Sequence, residues 1–190
     1  MSHSAKPAPA QQAPRAPLSP QVRDAVHRQL TAMAAEDDRL TRKVITLPGA
    51  AHRRQHLRAA RAQHTAELRN VVTRHGWPTT ALVGGEASVA ALKILLHAPA
   101  DDRDFVLSCC DLIQTAVADG TCDTAYGAYA HDRAAVLQDQ PQRYGTQLDP
   151  RLLRPYPIED PEGIDARRAA VGLESLSSEL AHLRRRLLTS

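Results

Sequence analysis

Aromatic residues are scarce in this chain: one Trp, one Phe and four Tyr among 190 residues, or 3%. With 43% hydrophobic residues, the core must come from Ala, Leu and Val, which suits closely packed helices better than sheets. Cysteine is nearly as rare. Cys109, Cys110 and Cys122 cannot complete a set of disulfides, and their spacing matches no zinc module, so a reducing cytoplasm is the expected setting. No stretch approaches the roughly 18 apolar residues of a membrane span, and the N-terminus lacks the apolar run of a signal peptide. A soluble protein with no membrane partner is expected. Nor is there the charge imbalance of a nucleic-acid reader: 24 Lys and Arg stand against 21 Asp and Glu, spread along the chain. The phosphate-cradling loop is absent too, since Val83-Gly84-Gly85 is not followed by Lys and Ser or Thr.

What is present is helical periodicity with clear punctuation. Residues 1–18 are mainly Ala, Pro, Gln and Ser, too polar to offset their ordering entropy, and read as a disordered tail. Residues 19–190 read as a single all-α domain, a bundle of six to seven helices. Ser19-Pro20 caps a helix carrying Val22, Val26, Leu30, Met33, Leu40 and Val44 to about Ile45. A second helix ends at Gly76 and Pro78. Between Glu86 and Leu96, Ala87, Ala90 and Ala91 form a small-residue face that lets a neighbour approach, as a central helix needs. Two further helices follow, from Asp101 or Asp102 and from Asp123, with the first carrying Cys109 and Cys110 as small core residues. Short helices over 166–171 and 175–188 close the chain. Residues 140–162 form a long, proline-rich irregular segment expected to be ordered across the bundle, because its Tyr, Gln and Arg content argues against a linker.

The residues HGWP (75–78), VGGEAS (83–88), LLHA (95–98), DR (132–133), YGTQ (144–147), PIEDPEGIDARR (157–168) and VGL (171–173) occur in an order and spacing that resemble a bacterial domain family of unknown function. Its members are largely helical and share a Trp-Pro turn, a Gln-His-Ala-Asp segment, an Asp-Arg pair, a Tyr-Gly-Thr-Gln segment and a Pro-Ile-Glu-Asp-Pro run. The resemblance covers about residues 30–176. It implies an all-α fold and a common pocket, and it names no reaction. Where the family has Gln-His-Ala-Asp, this chain has Leu96-His97-Ala98-Pro99, keeping the histidine without its polar neighbours.

His97, beside Leu95 and Leu96 at a helix end, is the candidate acid or base. An orienting partner must come from elsewhere, with Asp132 or Glu159 as candidates. Tyr144 joins it as a catalytic candidate, and Asp132, Arg133, Gln147, Arg168 and His75 are candidates for holding substrate: the guanidinium groups as forks for a carboxylate or phosphate, Gln147 as a donor and acceptor on the turn that Gly145 permits. Asp132, Arg133, Arg167 and Arg168 read first as an ion-pair network anchoring the irregular segment. His75, His97 and His131 lack the i, i+4 spacing of paired ligands, and His52 with His56 have no carboxylate near them, so no metal site is expected. The expected site is a pocket between the helix ending at His97, the Asp132-Arg133 helix and the YGTQ segment.

Two functions match these residues. One is a cofactor-free enzyme acting on a small polar metabolite through proton transfer at His97, by hydrolysis, elimination or cyclisation. The other is a non-catalytic module for a small ligand or a protein partner, a second copy of the chain included, with the basic helices docking an acidic surface.

Overall fold

The computed structural model describes residues 18–47, 50–149 and 154–188; apart from Leu18, the tail read as disordered falls outside them. Helix α1 (Pro20–Thr46) opens where the Ser19 hydroxyl accepts the amide of Val22 at 3.4 Å and proline occupies the first turn. It buries Val26, Leu30, Met33, Ala34 and Leu40, and on the same stripe Asp37. Helix α2 (Ala50–His75) returns antiparallel to α1, as Gln29 to Glu67 and Asp37 to Arg61 contacts require. Thr79 caps a short helix α3 (Thr80–Val83), and Gly84, at φ +86°, redirects the chain into α4 (Gly85–Leu96). That left-handed backbone favours glycine.

Helix α4 buries Ala87, Ser88, Ala90, Ala91, Leu92, Ile94 and Leu95, more than half of its circumference. It touches α1, α2, α3 and the later α6, the position the small-residue face calls for. After a 3-10 turn, α5 (Arg103–Ala118) packs on α6 (Thr124–Leu137), which starts where Asp123 accepts the amide of Ala125. Cys109 and Cys110 lie in this core, where burial pushes both thiols up to about 12; they pack as small apolar residues.

The described parts of the segment after α6, up to 149 and from 154, are irregular but tied down, and residues 150–153 of the expected ordered segment lie outside the described residues. The segment holds a two-residue antiparallel ladder, β1 (Leu148–Asp149) against β2 (Arg154–Pro155), with Leu148 opposite Pro155. A 3-10 turn leads into α7 (Ile164–Ala170), and α8 (Leu176–Leu188) follows. Among the described residues there are thus eight α-helices. The helix absent from the sequence reading is α3, whose four residues are too few to show a period. No described helix is long and apolar enough to cross a membrane.

Candidate functional site

Two polar centres are built into this frame. The first organises the irregular segment around Asp132, which is fully buried on α6. Its Oδ1 accepts the amides of Arg143 at 2.9 Å and Tyr144 at 3.1 Å; its Oδ2 accepts the amide of Thr146 at 2.9 Å and the Thr146 hydroxyl at 3.0 Å. Burial alone would raise this carboxyl, but His131 and the backbone amides of Thr146, Tyr144 and Arg143 outweigh it and hold the group below the usual carboxylate range. Gln142, also fully buried, works alongside. Its Nε2 donates to the carbonyls of Gln147 and Tyr156, each at 3.0 Å, and its Oε1 accepts the Gln147 amide at 2.7 Å.

Arg168 closes this hub from α7. It is fully buried, donating from Nε to the Glu174 carbonyl at 2.6 Å and from Nη1 to the Tyr144 carbonyl at 2.7 Å, with Nη2 on the Glu179 carboxylate. The turn it clamps needs Gly145. There φ is +68°, and a Cβ would stand 3.0 Å from Ile164 and 3.2 Å from Ile158.

The second centre joins α1, α2 and the end of α4. Asp37 is 3% exposed. Its Oδ1 accepts Nε of Arg61 at 2.6 Å, its Oδ2 accepts Nη2 of Arg61 at 3.2 Å, and Nδ1 of His97 lies 2.8 Å from Oδ2. Arg61 also donates to the Thr41 hydroxyl at 3.2 Å. Nη2 of Arg61 is 3.3 Å from the same His97 nitrogen. A guanidinium only donates and a carboxylate only accepts, so the shorter contact assigns the proton to Nδ1. That leaves Nε2 without a partner among the described residues, on a side chain 35% exposed. Burial pushes the Asp37 carboxyl up, yet hydrogen bonds from His97 and Arg61 and their charges more than reverse this, keeping it ionised well below the usual range.

The orienting partner of His97 is therefore Asp37, not Asp132 or Glu159. Asp132 spends its oxygens on the 143–146 turn, and Glu159 pairs with Arg143 at 3.2 Å. The sequence carried a signal for Asp37: it shares the α1 stripe of Leu30, Met33, Ala34 and Leu40, where a carboxylate needs a buried partner.

Of the candidates named from the sequence, Asp132, Tyr144, Gln147 and Arg168 meet in the hub. Tyr144 is half-buried, its ring edge-on to His131 with centroids 5.9 Å apart. Gln147 donates from Nε2 to the Thr146 hydroxyl at 3.2 Å. Arg133, next to Asp132, links the two centres: its Nη2 donates 2.9 Å to the carbonyl of Ala98, the residue after His97. His75 stands apart. It ends α2, fourteen residues beyond Arg61, which places it about 21 Å along the axis from the His97 centre. Among the described residues no cluster of His, Cys, Asp or Glu is arranged to hold a metal ion. A cleft of about 680 Å³ opens on the far side of the hub, lined by Tyr129, Leu148, Glu174, Glu179, His182 and Leu183 among others; nothing in the sequence pointed to it.

This chain, a largely helical protein with a histidine-carboxylate pair at one helix end and an arginine-clamped turn beside it, belongs to a family of unknown function, DUF6624, whose model matches residues 24–186. No curated protein and no solved structure matches it.

Proposed function

We propose that the chain is a cofactor-free enzyme that acts on a small polar metabolite by proton transfer at His97. The observation that carries this reading is the pairing of Nδ1 with buried Asp37 while Nε2 has no partner among the described residues. A carboxylate in that position fixes the tautomer and steadies the imidazolium that forms when Nε2 accepts a proton. Arg61 keeps Asp37 ionised and so keeps it from competing for that proton. Nε2 takes a proton from substrate or water and returns it to the leaving group, a step common to hydrolysis, elimination and cyclisation. Arg133, Tyr144 and Gln147 hold the substrate, while Asp132 and Arg168 fix the turn that carries Tyr144 and Gln147. Three free, buried cysteines suit a reducing compartment such as the cytoplasm.

The test is to incubate the protein with mixtures of small polar metabolites and follow their loss by mass spectrometry. A consumed metabolite should be turned over about 10² to 10⁴ times more slowly by His97→Gln, with a smaller loss for Asp37→Asn. Equal rates in both variants overturn the assignment. The second reading is a non-catalytic binding module, and the cleft at Tyr129 and Glu179 favours it, since His97 does not line it. Under that reading a ligand is bound and recovered unchanged, and Glu179→Gln weakens its binding while His97→Gln does not.

A further inference from the structure

Among the described residues, Arg133 has no carboxylate paired with it. Its Nη2 is used by the Ala98 carbonyl, and among the described residues its Nε is sealed from solvent without a partner while its Nη1 makes no hydrogen bond yet is not sealed. The ionisable groups acting on it are the Cys110 thiol and the Tyr156 phenol, not an acid. The neighbouring Asp132 faces the 143–146 turn. Among the described residues, three other arginines drawn away from solvent are compensated, Arg61 by Asp37, Arg167 by Asp160 and Arg168 by Glu179, whereas Arg53, at the start of α2, has only the Leu47 carbonyl. Enclosing a guanidinium without an anion is unfavourable. Such an arrangement persists where a ligand supplies the missing charge.

We infer that Arg133 is the docking point for an oxyanion of the ligand, a carboxylate or a phosphate, received on its open Nη1 edge beside the Ala98 carbonyl. The edge formed by Nη1 and the second Nη2 hydrogen is a fork matched to two oxygens of one such group. Because Ala98 follows His97 directly, the docked group brings the rest of the molecule to the end of α4 where Asp37 orients the imidazole. The docking step is independent of the catalytic reading. Only the proton transfer that follows it rests on that reading.

Isothermal titration of the full chain with sodium phosphate and with sodium acetate, at constant ionic strength in chloride, tests the inference. We expect saturable binding of at least one anion, and the tighter of the two names the ligand's group. Arg133→Met should weaken it about tenfold or more, the loss of one charge-assisted hydrogen bond or two. Arg133→Lys, which keeps the charge and loses the fork, should weaken it several-fold, and it decides the matter if the Met variant does not fold. Arg53→Met is the control: Arg53 also has an unpartnered Nε but sits at the start of α2 with its Nη2 on Leu47, and its loss should leave anion binding unchanged. His97→Gln should bind the anion as the parent does. No binding beyond chloride, or equal binding by the parent and the folded Arg133 variants, overturns the inference. Anion binding that follows Arg133 without any turnover that follows His97 removes the catalytic reading alone, and the converse removes this inference alone.

Discussion

The hub around Asp132 and the centre around Asp37 use the same parts, a buried aspartate and an arginine, to different ends. At Asp132 both carboxylate oxygens are filled by the chain's own amides and hydroxyl, and Arg168 is likewise filled by two carbonyls and a carboxylate. Nothing is left over, so the hub holds shape. At Asp37 the network ends on an imidazole with one nitrogen unpartnered and a side chain half open. A satisfied network stabilises; one that stops at an open, titratable atom has chemistry to offer. Stability and reactivity should therefore separate between the two centres.

The largest effect is expected at the hub. Asp132→Ala strands the buried donors of Arg143, Tyr144 and Thr146 and should cost about 3 to 5 kcal/mol in urea denaturation, with new proteolytic cuts near Arg143; a loss under about 1 kcal/mol would show that the turn is held by other contacts. Gly145→Ala comes next. Its positive φ and the close Ile164 and Ile158 side chains should cost about 1 to 3 kcal/mol, and a melting temperature equal to the parent's would contradict it.

Asp37→Asn should show itself in pH dependence. The folded Asp37 carboxyl lies below its unfolded value, so its contribution is present above the unfolded value of about 4 and is lost as pH falls below it. Denaturation midpoints between pH 2 and pH 7 should therefore slope less in Asp37→Asn than in the parent. Parallel curves would mean that the carboxylate gains nothing from Arg61 and His97. The smallest change in stability is expected from His97→Gln, under about 1 kcal/mol, because the half-open ring leaves Asp37 still paired with Arg61. A loss as large as that of Asp132→Ala would make His97 a structural residue and erase the contrast.

The helices that were legible have local signals: Ser19 and Asp123 cap, prolines and glycines stop, and apolar residues recur at helical spacing. The Asp-Arg pair and the YGTQ turn were legible as a group of polar residues, and Asp132 joins them through contacts eleven to fourteen residues away. The partner of His97 was not, because Asp37 lies 60 residues earlier and only tertiary packing of α1 on α4 brings the two together. His75 misled for a related reason. A histidine near a Trp-Pro turn reads as part of the same constellation until the length of α2 separates it from Arg61. Gln142 escaped notice because its role lies in backbone groups on either side of a loop, which carry no residue-type signature.

The Arg168 clamp also gives the molecule an order of assembly. The Asp37, Arg61 and His97 contacts are made by residues up to 97 alone, so their side chains precede the C-terminal half in the order of synthesis. The Tyr144 turn cannot be locked until Glu174 and Glu179 have left the ribosome, since those residues complete the cage around the guanidinium. The residues of the histidine pair are thus all synthesised before those that finish the turn, and the first turn of α8, which carries Glu179, supplies the last contact of the cage.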